Sequence, residues 1–214
     1  CAGRDVLYDP KLVDDSARLS AAVRDARALI VRNRTQVRGS LLESAARLQV
    51  VGRLGVGLDN IDVPACEARG IAVFPATGAN DLSVAEYVIT AALVLLRKAW
   101  FATARVAAGE WPRTEWWGRE LAGKRLGLVG YGAIARVTGR MGRDLDMSVA
   151  AYDPLLPANH PAWAGALRQD LPELLATSDV VSLVLTPHIA GVTDESNVRV
   201  SAVTAEAVAR HLGA

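Results

Sequence analysis

The chain has 214 residues, enough to bury a core as one large domain or two small ones. With 24 basic and 23 acidic residues its net charge is +1, which argues against nucleic acid or a membrane surface as a partner. Its two cysteines, Cys1 and Cys66, give neither a disulfide framework nor metal-ligand spacing, so a reducing cytoplasm and no metal are expected.

Strand-like and helix-like segments alternate from the start. Residues 5–8 read as a strand, 16–27 as a helix, 28–31 as a short apolar strand, 41–46 as a helix and 50–54 as a strand. A helix over 64–68 and a strand over 71–75 follow. Short strands alternating with helices predict parallel sheets covered on both faces. Residues 83–108 read as one long, largely apolar helix rich in small residues, which is either buried or pairs with a copy of itself. The stretch 110–118 holds three of the five tryptophans, Trp111, Trp116 and Trp117, and reads as an ordered loop. The most apolar run, 88–96, is too short to span a bilayer, and no signal peptide is visible. Because residue 1 is Cys rather than Met, further chain is expected ahead of it.

The most informative stretch is 126–153. An apolar strand (126–129) runs into Gly130-Tyr131-Gly132-Ala133-Ile134-Ala135, a helical segment follows, and a second strand (148–152) ends on Asp153. This is a dinucleotide-binding fingerprint in the context it requires. Gly130 permits a tight turn, Gly132 lets backbone approach a pyrophosphate, and Ala135 takes the small third position. The diphosphate is expected on the helix N-terminus, against Gly130, Gly132, Ala133 and Ile134, where unpaired N–H groups and the helix dipole favour an anion. Asp153, 21 residues after Gly132, stands where a carboxylate accepts both ribose hydroxyls and repels a 2′-phosphate, so NAD is the expected cofactor. The bland alternative is a glycine turn in an unrelated α/β protein. Beyond Asp153 the reading is a loop (154–161), a short helix (171–176), a third strand (179–185) and a final helix over about 194–212 with Thr193 as N-cap.

Four motifs together resemble the D-isomer-specific 2-hydroxyacid dehydrogenase family. They are Gly52-Arg53-Leu54-Gly55-Val56-Gly57-Leu58-Asp59-Asn60, then Ala79-Asn80 with Ser83-Val84-Ala85-Glu86. The others are Gly130 to Ala135 with Asp153, and Leu185-Thr186-Pro187-His188-Ile189-Ala190-Gly191. Within that family the runs 109–113 and 192–197 look most like the sulfolactate dehydrogenase branch. The resemblance implies NAD-dependent interconversion of a small 2-hydroxy acid and its 2-keto acid, with His188 as general acid in reduction and general base in oxidation. Delivering a proton to a carbonyl as hydride arrives is work suited to histidine, which titrates in the useful range. His160 and His211 are expected bystanders. The resemblance also puts Thr186 and Val84 beside the cofactor.

The turn at Leu54, Gly55, Val56 and Gly57 follows a parallel strand, where successive backbone N–H groups can hold a substrate carboxylate. A sharp strand-to-loop turn would explain one glycine there. Asn80 is a further candidate for substrate contact, while Ser83 is equally explained as a helix cap. Arg32 and Arg53 lie at the same carboxyl edge; solvated arginine is the ordinary explanation, and an anion at the far end of the substrate the sharper one.

The fold implied is α/β: two Rossmann- or flavodoxin-like doubly wound parallel-sheet domains, with the C-terminal helix returning to the first. Expected boundaries are 1–81 for the substrate domain, 82–187 for an incomplete NAD-binding Rossmann domain with three strands, and 188–214 for the returning segment. The substrate-clamping arginine and the glutamate partner of the histidine that the resemblance implies have no counterpart here. Family members insert two more strands and their helices between Leu183 and Val184, so an additional segment, seen as a break in the chain, is expected at that join. A first strand ahead of Cys1 is expected on the same ground. The long helix predicts a homodimer. A rival reading is an NAD-binding regulatory protein without catalysis; another is an NAD-dependent oxidoreductase of unrelated chemistry.

Overall fold

A computed structural model describes residues 5–182 and 190–213. The join between Leu183 and Val184, together with Thr186 and His188, lies outside the described residues. The chain forms two compact units, Cys1–Asn80 with Thr193–Ala214, and Asp81–Val192.

The first unit contains α1 (Ser16–Val23), β1 (Ala28–Val31), α2 (Gly39–Ser44), β2 (Val50–Arg53), α3 (Val63–Ala68) and β3 (Ala72–Pro75). The strands form one parallel sheet in the order β1-β2-β3. The period-2 alternation of β2 decides what covers each face. Val51 points into a core with Val23, Leu41, Leu42 and Cys66 from the helices and Ile71 just ahead of β3. Gly52 points the other way, where a Cβ would lie 2.6 Å from Thr204 and 2.9 Å from Val208. Those two belong to the C-terminal helix α8 (Asp194–His211), which starts at a capping box on Thr193 and Ser196. The sheet is therefore covered on both faces, and the C-terminal helix packs on it.

The second unit contains α4 (Asp81–Arg97), α5 (Thr103–Ala107), β4 (Arg125–Val129), α6 (Ala133–Asp144), β5 (Ser148–Tyr152), β6 (Leu167–Arg168), α7 (Leu171–Thr177) and β7 (Val180–Ser182). Its parallel sheet runs β6-β5-β4-β7. Leu126 and Leu128 face a core shared with Ala92 and Leu96 of α4. Gly139 and Gly142 let α6 lie close on that same face, where a Cβ at 142 would stand 2.9 Å from Leu126. Gly127 points to the opposite face, against Ser178 and Leu174 of the α7 segment. This sheet too is doubly wound.

Three expectations are corrected. Residues 5–8 form no strand: Val6, Leu7 and Tyr8 are 58%, 71% and 84% exposed, and β1 pairs only with β2 among the described residues. An apolar run without a neighbouring strand has no ladder to join. Residues 83–108 are not one helix, because α4 ends at Arg97 and Lys98 turns left-handed at φ 57°. The Leu96 carbonyl accepts from Arg119 N–H at 2.8 Å, and Gly118 packs on the Arg97 backbone, so the returning loop caps the helix. The second sheet has four strands among the described residues rather than three, since the two-residue β6 pairs with β5. A strand that short carries no readable period.

Candidate functional site

In the second unit strand order reverses at β4, with β5 on one side and β7 on the other. In open α/β sheets such a switch point is where ligands bind, beyond the carboxyl ends of the strands. The turn there is Gly130-Tyr131-Gly132. Gly130 has φ 85°, which only glycine adopts without strain, and its N–H donates to Tyr152 O at 2.7 Å. Gly132 caps α6 at φ −72°, so its backbone demands no glycine. A Cβ at either position would meet nothing within 4 Å. Gly130 is thus explained by its backbone conformation, whereas neither crowding nor backbone explains Gly132, which leaves room for a group to approach the turn. Among the described residues, the N–H groups of Gly132, Ala133 and Ile134 donate to no protein acceptor, and α6 has no side-chain cap. This donor set fits a diphosphate.

Asp153 stands at the end of β5. Its Oδ2 accepts from Tyr131 N–H at 2.7 Å, and its Oδ1 from Leu155 and Leu156 N–H at 2.9 and 3.2 Å. The Tyr131 and then the Leu155 N–H hold its carboxyl below the usual aspartate range, partial burial opposing them. A cavity of about 340 Å³ opens beside it, lined also by Tyr152, Arg168 and Gln169. Below the turn, the buried Tyr131 ring stacks on Trp163 at 5.4 Å and 17°. The Arg168 guanidinium lies 5.9 Å over the same indole.

Residues 4–213 match the family described as D-isomer specific 2-hydroxyacid dehydrogenase, catalytic domain. The chain belongs to that family. It is 53% identical over 179 residues to the (S)-sulfolactate dehydrogenase of Chromohalobacter salexigens, covering 83% of this chain and 58% of that protein. Against the D-3-phosphoglycerate dehydrogenase of Archaeoglobus fulgidus identity is 38%, over 73% of this chain and 30% of that one. The crystal structure of Aquifex aeolicus D-lactate dehydrogenase, solved with NAD and lactic acid, matches with a TM-score of 0.69 at 27% identity. That match covers 78% of this chain and 50% of the solved one. The chain therefore spans less than two thirds of the length of these relatives.

The first unit gathers Arg32, Arg53 and the turn Leu54, Gly55, Val56 and Gly57 at the carboxyl ends of β1 and β2. Arg53 is only 4% exposed; its Nη1 donates to Leu54 O at 2.7 Å and its Nε to Asn60 Oδ1 at 3.2 Å. Burial lowers the pKa of this guanidinium, Asp59 raises it and Arg32 lowers it further. No carboxylate pairs with Arg53 among the described residues. Arg32 is exposed and donates to Asn197 Oδ1 at 2.7 Å. The four-amide nest expected at 54–57 is narrower. Leu54 N–H already donates to Val31 O and Gly55 N–H to Arg53 O, both at 2.8 Å, which leaves Val56 and Gly57 as open donors.

The sequence reading missed Asn60 as the centre of this edge. It is fully buried, donates through Nδ2 to Arg32 O at 2.8 Å and Thr35 O at 2.7 Å, and holds Arg53 through Oδ1. Its place in the Gly-Leu-Asp-Asn run was the available signal. Asn197 lies in the run 192–197 already singled out but was not itself marked, and Arg168 was missed because no local pattern marks it. Asn80 directly precedes α4 and keeps a buried Oδ1 without a hydrogen-bond partner, while Val84 is half-buried in the first turn of that helix. Thr186 and His188 lie outside the described residues.

Proposed function

We propose that this chain carries NAD-binding and substrate-binding elements of an oxidoreductase that interconverts a 2-hydroxy acid and its 2-keto acid. The observation that carries the reading is the turn after β4. Two glycines face open space there beside unpaired amides and a carboxylate, and the family is one of dehydrogenases. The amides of Gly132, Ala133 and Ile134 would hold the pyrophosphate, with Gly130 setting the turn, and Asp153 would accept from the adenosine ribose. Val84 and Thr186 would flank the nicotinamide, which when bound exchanges hydride with the hydroxyl-bearing carbon.

The Val56 and Gly57 amides would take the substrate carboxylate, helped by the unpartnered Asn80 Oδ1 as an acceptor for a hydroxyl. Arg53 and Arg32 would face a second anionic group. Sulfolactate, the acid in the name of the 53% identical relative, carries a sulfonate in addition to its carboxylate. A dianionic 2-hydroxy acid of that kind is therefore the substrate class we favour. His188 would give a proton to the carbonyl oxygen in reduction and remove it from the hydroxyl in oxidation.

A panel of 2-keto acids with NADH tests this reading, sulfopyruvate being the expected best substrate. NADH binding without turnover of any of them would favour the regulatory reading instead. Replacing His188 by Asn should lower turnover on the order of 10²- to 10⁴-fold while leaving NADH affinity nearly intact. Turnover that survives would place proton transfer elsewhere.

We further propose a homodimer in the cytoplasm. Leu95, Trp100 and Trp111 stand 63%, 73% and 81% exposed in and after α4, an apolar surface of the kind that association covers. The free, buried Cys66 suits a reducing compartment. Sedimentation at micromolar concentration showing a monomer would refute the dimer.

A further inference from the structure

We propose that Asn197 is a specificity-determining positioning residue, a neutral acceptor that aims the Arg32 guanidinium at the second anionic group of a dianionic 2-hydroxy acid while leaving its charge uncancelled. The inference rests on the reading of Arg32 and Arg53 as the receivers of that group.

Two arginines stand two residues apart beyond β1, and they are held differently. Arg34 pairs with the Asp14 carboxylate, which cancels its charge. Arg32 donates through Nη2 to Asn197 Oδ1 at 2.7 Å, across 165 residues of chain, and has no carboxylate partner among the described residues. Its carbonyl is fixed as well, by Asn60 Nδ2 at 2.8 Å. An arginine in water keeps its rotamer freedom, and ordering it costs entropy. Arg32 is exposed and yet gripped at both ends. Ordinary solvation accounts for neither grip.

The neighbouring cation follows the same rule. Arg53, opposite Val31 in the register of β1 and β2, donates to Asn60 Oδ1 and Leu54 O, again neutral acceptors. Burial pushes its guanidinium pKa down, Asp59 raises it and Arg32 lowers it again, so the two cations repel one another. A staple between α8 and the end of β1 is served at least as well by a carboxylate at 197, which would also relieve that repulsion. The position tolerates one: it lies near the start of α8, just after the Thr193–Ser196 capping box, where the helix dipole favours negative charge. An amide there orients the arginine and leaves the cationic pair to a ligand.

The test is the isosteric Asn197→Asp, read by calorimetric titration of sulfolactate and of lactate with NAD present. The substitution keeps the hydrogen bond and adds one negative charge. A purely structural staple survives it, leaving both affinities as in wild type. The expected result is sulfolactate bound on the order of tenfold more weakly, with lactate affinity and the thermal midpoint held. Asn197→Ala removes the aim and adds no charge. There the order parameter of the Arg32 Nε–H group, from NMR relaxation, should fall, and sulfolactate should weaken severalfold. Unchanged sulfolactate affinity in Asn197→Asp, an equal loss for both acids, or an unmoved Arg32 in Asn197→Ala each overturns the proposal. A wild type that binds sulfolactate no better than lactate sinks the second-anion reading, and this inference with it, before any variant is made.

Discussion

The turn after β2 and the turn after β4 look alike in sequence, each a pair of glycines at the carboxyl end of a parallel strand. After β2, Gly55 sits at φ 151° with the Arg53 guanidinium packed under it, so a Cβ would stand 2.3 Å from Arg53 Nη1. That glycine answers to the protein's own interior. After β4 a Cβ at Gly132 would meet nothing, at a φ any residue adopts. Nothing within the protein requires that glycine, and the proposed diphosphate would fill the space beside it. The same letter in the same structural place thus has two different surroundings, one packed and one open, which the sequence does not distinguish.

Four substitutions test the contrast, taken from the largest effect to the smallest. Asn60→Ala should be the most disruptive. It strands Arg53 Nε and the carbonyls of Arg32 and Thr35 in a buried site, costing about 3 kcal/mol in a denaturant titration. Stability within error of wild type would mean that water replaces the amide. Gly132→Val should lower NADH affinity by roughly ten- to hundredfold, the worth of hydrogen bonds to a charged group, with the thermal midpoint unmoved. A drop in midpoint without a change in affinity would show that the open space is not a ligand's.

Gly55→Ala should do the reverse, losing about 1–2 kcal/mol of stability from strain and displacement of Arg53. Finally, Arg32→Ala should leave stability unchanged, since the residue is exposed, and raise KM severalfold for a dianionic keto acid but not for pyruvate. Equal effects on both acids would remove Arg32 from substrate selection.

Much of this was legible in the sequence because the signals were local. The strand at 28–31, the strand at 148–152 and the Thr193 cap each follow from a few adjacent residues. The glycine turn, the helix behind it and Asp153 were placed by spacing alone. What sequence did not show depends on partners distant in the chain. Residues 5–8 have a strand's composition but no neighbour. The break at Lys98 is imposed by Gly118 and Arg119, some twenty residues later. Asn60 gains its meaning from Arg32, Thr35 and Arg53, and the amides of Leu54 and Gly55 lose theirs as ligand donors to Val31 and Arg53. Composition cannot announce which donors are already engaged.

The stacking of Tyr131 on Trp163 has an optical consequence. Trp163 is pinned at the other end by its Nε1–H donating to Pro157 O at 2.9 Å, so its indole is held in one setting against the turn. Indole emission depends on the rings and charges around it, here Tyr131 and the Arg168 guanidinium. Any shift of the turn is passed through one aromatic contact into the colour and yield of that emission. With Trp100, Trp111, Trp116 and Trp117 replaced by Phe, the remaining fluorophore would report occupancy of the turn in real time, with no dye attached.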